Sequence, residues 1–214
     1  MRETQPISFT DFDALWRRVT GLSGATRLAA LHAAYGETHR AYHNLEHVIA
    51  CLRGLDEAYL VLADKPYAWD AVAVGLWYHD AIYRIGSGTN ERDSADWAAR
   101  DLRADGADPV FADQVHAWIT ATEHQAEPEG RDAQLLVDLD LGILGCPTEI
   151  YDRFETAIRQ EYRRVPGFIY RRKRAEILRG FLARPAIYHT PHLHQAWEQQ
   201  ARENLARAIE ALVG

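Results

Sequence analysis

The sequence predicts an all-α protein, on two observations. Apolar residues recur every three to four positions over most of the 214 residues, and no stretch alternates with a period of two for long enough to predict a strand. Hydrophobic residues make up 47% of the chain, which is typical of a globular protein with a real core. We expect a single helical bundle over residues 1–214, with a core at about 40–145 and a C-terminal helical extension at 148–214.

Capping signals divide the first part of the chain into four predicted helices. Asn44 is a favourable N-cap residue, and Pro66 stands where the first turn of a helix tolerates proline. The predicted helices start at Phe12, cover Ala25–Tyr35, run from near Asn44 to about Leu62, and run from Pro66 to the residues before His79.

Two polar segments, Arg84–Asp93 and His124–Arg131, predict loops in the second part. The helical pattern fills the rest, and proline and glycine interrupt it. The predicted helices are Ser94–Ala104, Val110–Glu123, Ala133–Leu144, about Thr148–Arg164, Phe168–Ala183 and His192–Leu212.

Charge and composition exclude several classes of partner. The formal net charge of −7 argues against nonspecific binding to a nucleic-acid polymer or an anionic membrane. No run of about 18 apolar residues is present, and the amino terminus lacks the apolar segment of a secretion signal, so we expect a cytoplasmic protein. Cys51 and Cys146 lack metal-ligand spacing and are expected to be buried, reduced thiols.

Histidines and an aspartate point to metal chemistry. His43 and His47 are four residues apart, so on a helix they share one face, and His79 and Asp80 are adjacent at the end of an apolar run. Neutral imidazoles and carboxylates are ligands that divalent transition metals favour. A water molecule activated by such a metal is what a hydrolase needs.

Asp138 and Asp140 lie inside an apolar helical segment and require an explanation. A buried, unpaired carboxylate is costly unless a metal, a cation or hydrogen bonds compensate it. Because the two residues are two positions apart, they face different directions, so one can be a fourth ligand and the other structural. The mixed nitrogen and oxygen set suits one divalent transition metal, namely Mn²⁺, Fe²⁺, Co²⁺, Ni²⁺ or Zn²⁺, with Mg²⁺ as a further candidate.

The order of these motifs resembles the HD superfamily of metal-dependent phosphohydrolases. His47 and His79 are 32 residues apart, and Asp140 follows Asp80 by 60. The chain is closer still to a bacterial branch of predicted HD phosphohydrolases, and the resemblance covers nearly its whole length. The matching segments are Tyr42–Val48, Trp77–Tyr83, Asn90–Ser94, Ala121–His124, Asp138–Gly145, Arg159–Tyr162 and Ala201–Leu205.

The resemblance implies a division of roles among the site residues. Its metal ligands are His47, His79, Asp80 and Asp140, the last preferred to Asp138. The segment beginning at Tyr42 is also similar to cyclic-nucleotide phosphodiesterases, in which the first histidine is the general acid, and this makes His43 the candidate catalytic acid.

Four further residues are predicted to adjoin the ligands or to face the substrate, and each also has a plain structural interpretation. Asn44 can be a simple N-cap, Glu91 a carboxylate favoured at a helix N-terminus, and His124 a solvated histidine. Asp138 is the fourth, as the alternative to Asp140.

The expected function is hydrolysis of a small phosphate ester or nucleotide by a metal-activated water. One alternative is a phosphodiesterase for cyclic or oligonucleotide substrates, and another is a non-catalytic, metal-stabilised binding protein. The expected partner is a small phosphorylated molecule, with nucleotides among the candidates. No nucleic-acid polymer and no membrane are expected as partners, and the sequence leaves homo-oligomer formation open.

Overall fold

The computed structural model describes residues 8–62 and 66–214 and confirms the all-α prediction. Within these residues the chain forms ten α-helices and two short 3-10 helices, and no strand. The amino-terminal residues, from which we expect no secretion signal, lie outside the described range. The helices are α1 (Phe12–Thr20), α2 (Ala25–Tyr35), α3 (Leu45–Leu62), α4 (Trp69–Tyr78), α5 (Asn90–Ala104), α6 (Pro109–Thr120), α7 (Arg131–Asp140), α8 (Thr148–Glu161), α9 (Gly167–Leu182) and α10 (Pro191–Val213).

The fourth helix begins at Trp69, so the prediction that Pro66 opens it was wrong. Asp132 Oδ1 accepts the N–H of Ala68 at 2.8 Å, and Arg131 donates to the carbonyl of Pro66 at 2.6 Å. These contacts with the start of α7 give the Ala68 N–H and the Pro66 carbonyl hydrogen-bond partners without a helix. A tertiary contact therefore overrides the local preference of proline for a first helical turn.

The fifth helix begins inside the segment Arg84–Asp93, which was predicted to be a loop throughout. The side chain of Asn90 closes the loop, because its Oδ1 accepts the N–H of Arg84 and its Nδ2 donates to the carbonyl of Arg84, both at 3.0 Å. The residues from Asn90 onward are thereby free to continue as α5.

Two segments predicted as single helices, Val110–Glu123 and Ala133–Leu144, instead end in 3-10 helix. These turns cover Ala121–Glu123 and Leu141–Gly145. Each change of helix type falls beside a predicted site residue, since His124 follows the first turn and Asp140 precedes the second.

The main core surrounds α4, all of whose residues from Ala71 to Tyr78 are buried. Helices α3, α5, α6 and α7 pack around it. Gly75 permits the close approach of α7, because a methyl group added there would collide with Leu136 Cδ1. The contact places the end of α4 beside the end of α7, and both ends carry predicted ligands.

A second core joins the C-terminal helices to the end of α7. Tyr151, Leu178, Ile187 and Leu205 are buried in it, and Trp197 packs against both cores. Every helix in the described residues is too short or too polar to traverse a bilayer.

Candidate metal centre

His47 lies in the first turn of α3, where Asn44 positions it. Asn44 Oδ1 accepts the N–H of Glu46 at 2.8 Å, and its Nδ2 donates to the carbonyl of Ala41 at 3.2 Å. Asn44 is thus the N-cap of the helix. The sequence allowed this structural role beside a role next to the ligands or the substrate. By capping α3, Asn44 fixes the first turn of the helix and with it the position of His47.

His79 and Asp80 follow the last residue of α4. His79 Nδ1 donates to the carbonyl of Leu76 at 2.8 Å. Since a carbonyl can only accept, the proton of a neutral ring must be on Nδ1, and the lone pair of Nε2 is left for another partner. The backbone of α4 therefore sets both the orientation and the tautomer of this histidine.

The four predicted ligands come together from three separate segments of the chain. His47 Nε2 lies 3.0 Å from His79 Nε2 and 3.2 Å from Asp140 Oδ1. Asp80 Oδ2 lies 3.2 Å from His79 Nε2 and 3.6 Å from His47 Nε2. Atoms that bind one ion at about 2.1 Å are themselves roughly 3.0–3.4 Å apart, so this donor set has the dimensions and chemistry of a metal site.

Charge and burial also favour a cation at this position. Burial lowers the pKa of His79, but Asp80 and Asp140 outweigh it, and the net pKa is well above the usual value. Burial raises the pKa of each aspartate, while His79 and neighbouring histidines lower it more, so both carboxyls remain ionised. Two carboxylates with little solvent around them stabilise positive charge between the two imidazoles.

A thiol lies next to this donor set. Cys51 Sγ is 3.7 Å from His47 Nδ1, and His47, Cys51 and Asp140 form a second group close enough to share an ion. Burial raises the pKa of the Cys51 thiol well above its usual value, which favours the neutral, weakly binding form. Both cysteines are free, as expected, although Cys146 is only partly buried.

Glu161 is the important residue that the sequence analysis did not single out. Its Oε2 lies 2.7 Å from His43 Nδ1 and accepts the hydroxyl proton of Tyr83 at 2.8 Å. Its Oε1 accepts the backbone N–H groups of Ala41, Tyr42 and His43 at 2.8–3.0 Å. The signal for it was present, because Glu161 lies in the segment Arg159–Tyr162 on which the family resemblance partly depends.

This contact controls the protonation of His43. Burial lowers the pKa of His43, but the hydrogen bond to Glu161 and the nearby carboxylates raise it above the usual value. Burial raises the pKa of Glu161, but the hydrogen bond and charge of His43 bring it down to about 2. The contact therefore favours an imidazolium on His43 and a carboxylate on Glu161, and the Tyr83 ring is stacked on His43 at 4.2 Å between centroids.

The structure separates the two aspartates of α7. Asp140 Oδ1 lies 3.2 Å from His47 Nε2 and 3.3 Å from His79 Nε2, whereas the fully buried Asp138 accepts the backbone N–H groups of His189 and Thr190 at 2.5–3.0 Å. Burial raises the pKa of Asp138, although these hydrogen bonds partly offset the rise. Asp138 thus anchors the segment that leads into α10 and does not contact the ligand atoms.

His124 and Glu91 border the metal group. His124 Nε2 lies 3.2 Å from Asp140 Oδ2, and the residue has a left-handed backbone with φ of 55°. Its Nδ1 is buried without a hydrogen-bond partner among the described residues. Burial raises the pKa of Glu91, which lines the same cavity as His124 and Asp140.

A cavity of about 480 Å³ opens directly on this site. Its lining includes His43, Asp80, Glu91, His124 and Asp140. The candidate acid and two of the candidate ligands therefore share one space that a small molecule can enter. A larger cavity of about 640 Å³ lies on the side of His47 and Asp140 that carries Cys51.

Comparisons of the chain with known protein families, with curated proteins and with solved structures give no match. The fold and the site define an all-α protein with a candidate site for one metal ion and an adjoining cavity.

Proposed function

We propose that the protein is a metal-dependent phosphohydrolase of the HD superfamily that acts on a small phosphate ester or nucleotide. One observation carries the proposal. His47, His79, Asp80 and Asp140 lie close together, and His43, which is hydrogen-bonded to Glu161, lines the cavity beside them.

The chain contributes ligands of fixed geometry and charge. His47, His79, Asp80 and Asp140 would hold one divalent transition metal, with Mn²⁺, Fe²⁺, Co²⁺, Ni²⁺ or Zn²⁺ preferred and Mg²⁺ also a candidate. When bound, the ion supplies Lewis acidity toward a phosphoryl group and toward water. The hydrogen bond from His79 to the carbonyl of Leu76 fixes one ligand in advance, which lowers the cost of ordering the site.

His43 is the proton donor in this proposal. The hydrogen bond to Glu161 raises the pKa of His43 and so favours the protonated imidazole, and His43 lines the same cavity as Asp80 and Asp140. A phosphate ester bound there would present its leaving oxygen to His43, which would transfer a proton to the departing alkoxide. The chemistry requires no covalent bond between the protein and the phosphoryl group.

The test combines metal analysis with activity. The purified protein is stripped with a chelator, reloaded separately with Mn²⁺, Co²⁺, Ni²⁺, Zn²⁺ or Mg²⁺, and assayed for release of phosphate from monoesters and nucleotides. We expect Asp80→Ala to lose both metal and activity, and His43→Ala to keep the metal but lose about 10²–10⁴-fold in kcat. Asp96→Asn, at an exposed carboxylate paired with His116, is the matched control and should change neither.

Three outcomes would contradict parts of this proposal. Full metal content and activity in Asp80→Ala would refute the ligand assignment. Full activity in His43→Ala would refute the role of His43 as proton donor. A protein that binds metal but hydrolyses no phosphate ester would instead be the non-catalytic binding protein that the sequence left open.

A further inference from the structure

The cavity beside the metal centre is lined by two kinds of side chain. One set is polar and includes the predicted site residues. The other set is apolar, comes from α8, α9 and the 3-10 turn after α7, and includes Ile143, Phe154, Ile158, Ile169, Ile177 and Phe181. An apolar wall of this extent, continuous with a metal group, is typical of a site that binds the carbon skeleton of its ligand.

Cationic side chains contribute little to this wall. Apart from the histidines His43 and His124, the described lining residues include one lysine and one arginine, Lys173 and Arg174. Arg174 is committed to a two-pronged ion pair with Glu155 at 2.6 and 3.1 Å, and Lys173 pairs with Glu176 at the surface. Chains of phosphate groups are usually bound by several unpaired cations, so this cavity is poorly suited to a di- or triphosphate beyond the metal.

Part of the apolar wall is exposed to water. Ile177 is 50% exposed and Ile169 is 42% exposed, and both lie on α9 at the cavity. Covering such side chains with an apolar group is favourable by about fourfold in affinity for each buried methylene. A ligand with an apolar body would therefore gain affinity that a small polar ester could not.

We propose that the substrate is a phosphate monoester of an apolar alcohol, whose phosphate lies at the metal centre and whose hydrocarbon part lies against α8 and α9. This inference rests on the proposed function, and it selects one class among the small phosphate esters named there. The cavity volume of about 480 Å³ leaves room for such a group beyond the phosphate.

The test uses non-hydrolysable probes, so that binding is measured apart from turnover. Methylphosphonate and hexylphosphonate are titrated into the metal-loaded protein by calorimetry. We expect hexylphosphonate to bind at least about tenfold more tightly, because several of its methylene groups would be buried. Equal affinities for the two phosphonates would overturn the inference.

A variant pair locates the effect. Ile177→Asp should reduce the affinity ratio of hexyl- to methylphosphonate by about tenfold, because it places a charge on the apolar wall. The control is Val110→Asp, at a 65% exposed valine on α6 that lies outside both cavities, and it should leave the ratio unchanged. An unchanged ratio in Ile177→Asp would overturn the assignment of the wall.

Turnover separates this inference from the proposed function. Hydrolysis of methyl phosphate with the same kcat/KM as hexyl phosphate would leave the phosphohydrolase standing and refute the substrate class. Binding that depends on chain length without hydrolysis of either ester would refute the enzyme and retain the apolar ligand preference.

Discussion

Glu161 Oε2 lies 2.7 Å from His43 Nδ1, and this contact joins the last residue of α8 to the segment just before α3. The same carboxylate accepts three consecutive backbone N–H groups from Ala41 to His43. One side chain therefore both fixes the conformation of the histidine motif and sets the charge of its first histidine. The C-terminal helices are part of the site for this reason.

The pH dependence of activity should reveal this contact. In Glu161→Gln the pKa of His43 should fall, because the hydrogen bond to a carboxylate and its charge are lost while burial continues to favour the neutral ring. The alkaline limb of the kcat profile should therefore move to lower pH. The control is Glu149→Gln on the exposed first turn of α8. A limb at the same pH in both variants would contradict the role of Glu161.

The stability contribution of Glu161 should also depend on pH. Its pKa is about 2 in the folded protein against an ordinary value of 4.5, so its contribution is present above about pH 4.5 and is lost as pH falls toward 2. Urea unfolding at pH 7 should show Glu161→Gln less stable than the wild type by about 3 kcal/mol. The difference should shrink as the pH is lowered below 4.5. A difference that is constant with pH would contradict the assignment.

Asp138→Asn should destabilise the protein without removing a metal ligand. Asp138 Oδ2 accepts from both His189 and Thr190, and Oδ1 also accepts from His189. An asparagine replaces one of these oxygens with an N–H donor, which then faces a buried backbone N–H, at a cost of about 1–3 kcal/mol. Metal content, measured by mass spectrometry on protein refolded with the ion, should match the wild type. Asp140→Asn is the informative comparison, since it should lose metal. Equal losses of metal in both variants would reopen the choice between the two aspartates.

His124→Ala should weaken metal binding by about 10–100-fold, the usual effect of removing a group that orients a ligand. The reason is that His124 Nε2 lies 3.2 Å from Asp140 Oδ2 and holds that carboxylate in place. His116→Ala, at a more exposed histidine paired with Asp96, is the matched control. Titration with Co²⁺ or Zn²⁺ measures the change, and equal affinities in the two variants would refute the orienting role.

Gly75→Ala should disturb the site from a distance. The added methyl group would meet Leu136, so α4 and α7 would have to separate, and we expect a loss of about 1–3 kcal/mol in stability together with weaker metal binding. In Gly180→Ala on α9 the methyl group meets open space, and the variant should gain up to about 1 kcal/mol. Thermal unfolding with and without metal separates the two effects. A Gly75→Ala variant as stable as the wild type would show that the helix contact is not tight.

The sequence by itself determined the fold class and proposed the ligand set. Periodic apolar residues and capping residues act over a few positions, so α2 could be predicted at its observed bounds and Asn44 as an N-cap. The spacing of His47, His79 and Asp80 likewise reduced the candidate metal ligands to a few residues. Pro66 shows the limit of local signals, because contacts with α7 decide the backbone there.

Only the tertiary structure decided which side chains meet. The apolar pattern around Asp138 and Asp140 does not distinguish the two, and only the family resemblance favours Asp140 as a ligand. Their different neighbours, 51 and 93 residues away, separate an anchor from a candidate ligand. Glu161 acquired its role through a contact across 118 residues. The physical reason is that burial and charge pairing depend on the packing of distant segments, and these two quantities determine both the protonation of His43 and the attraction of the site for a cation.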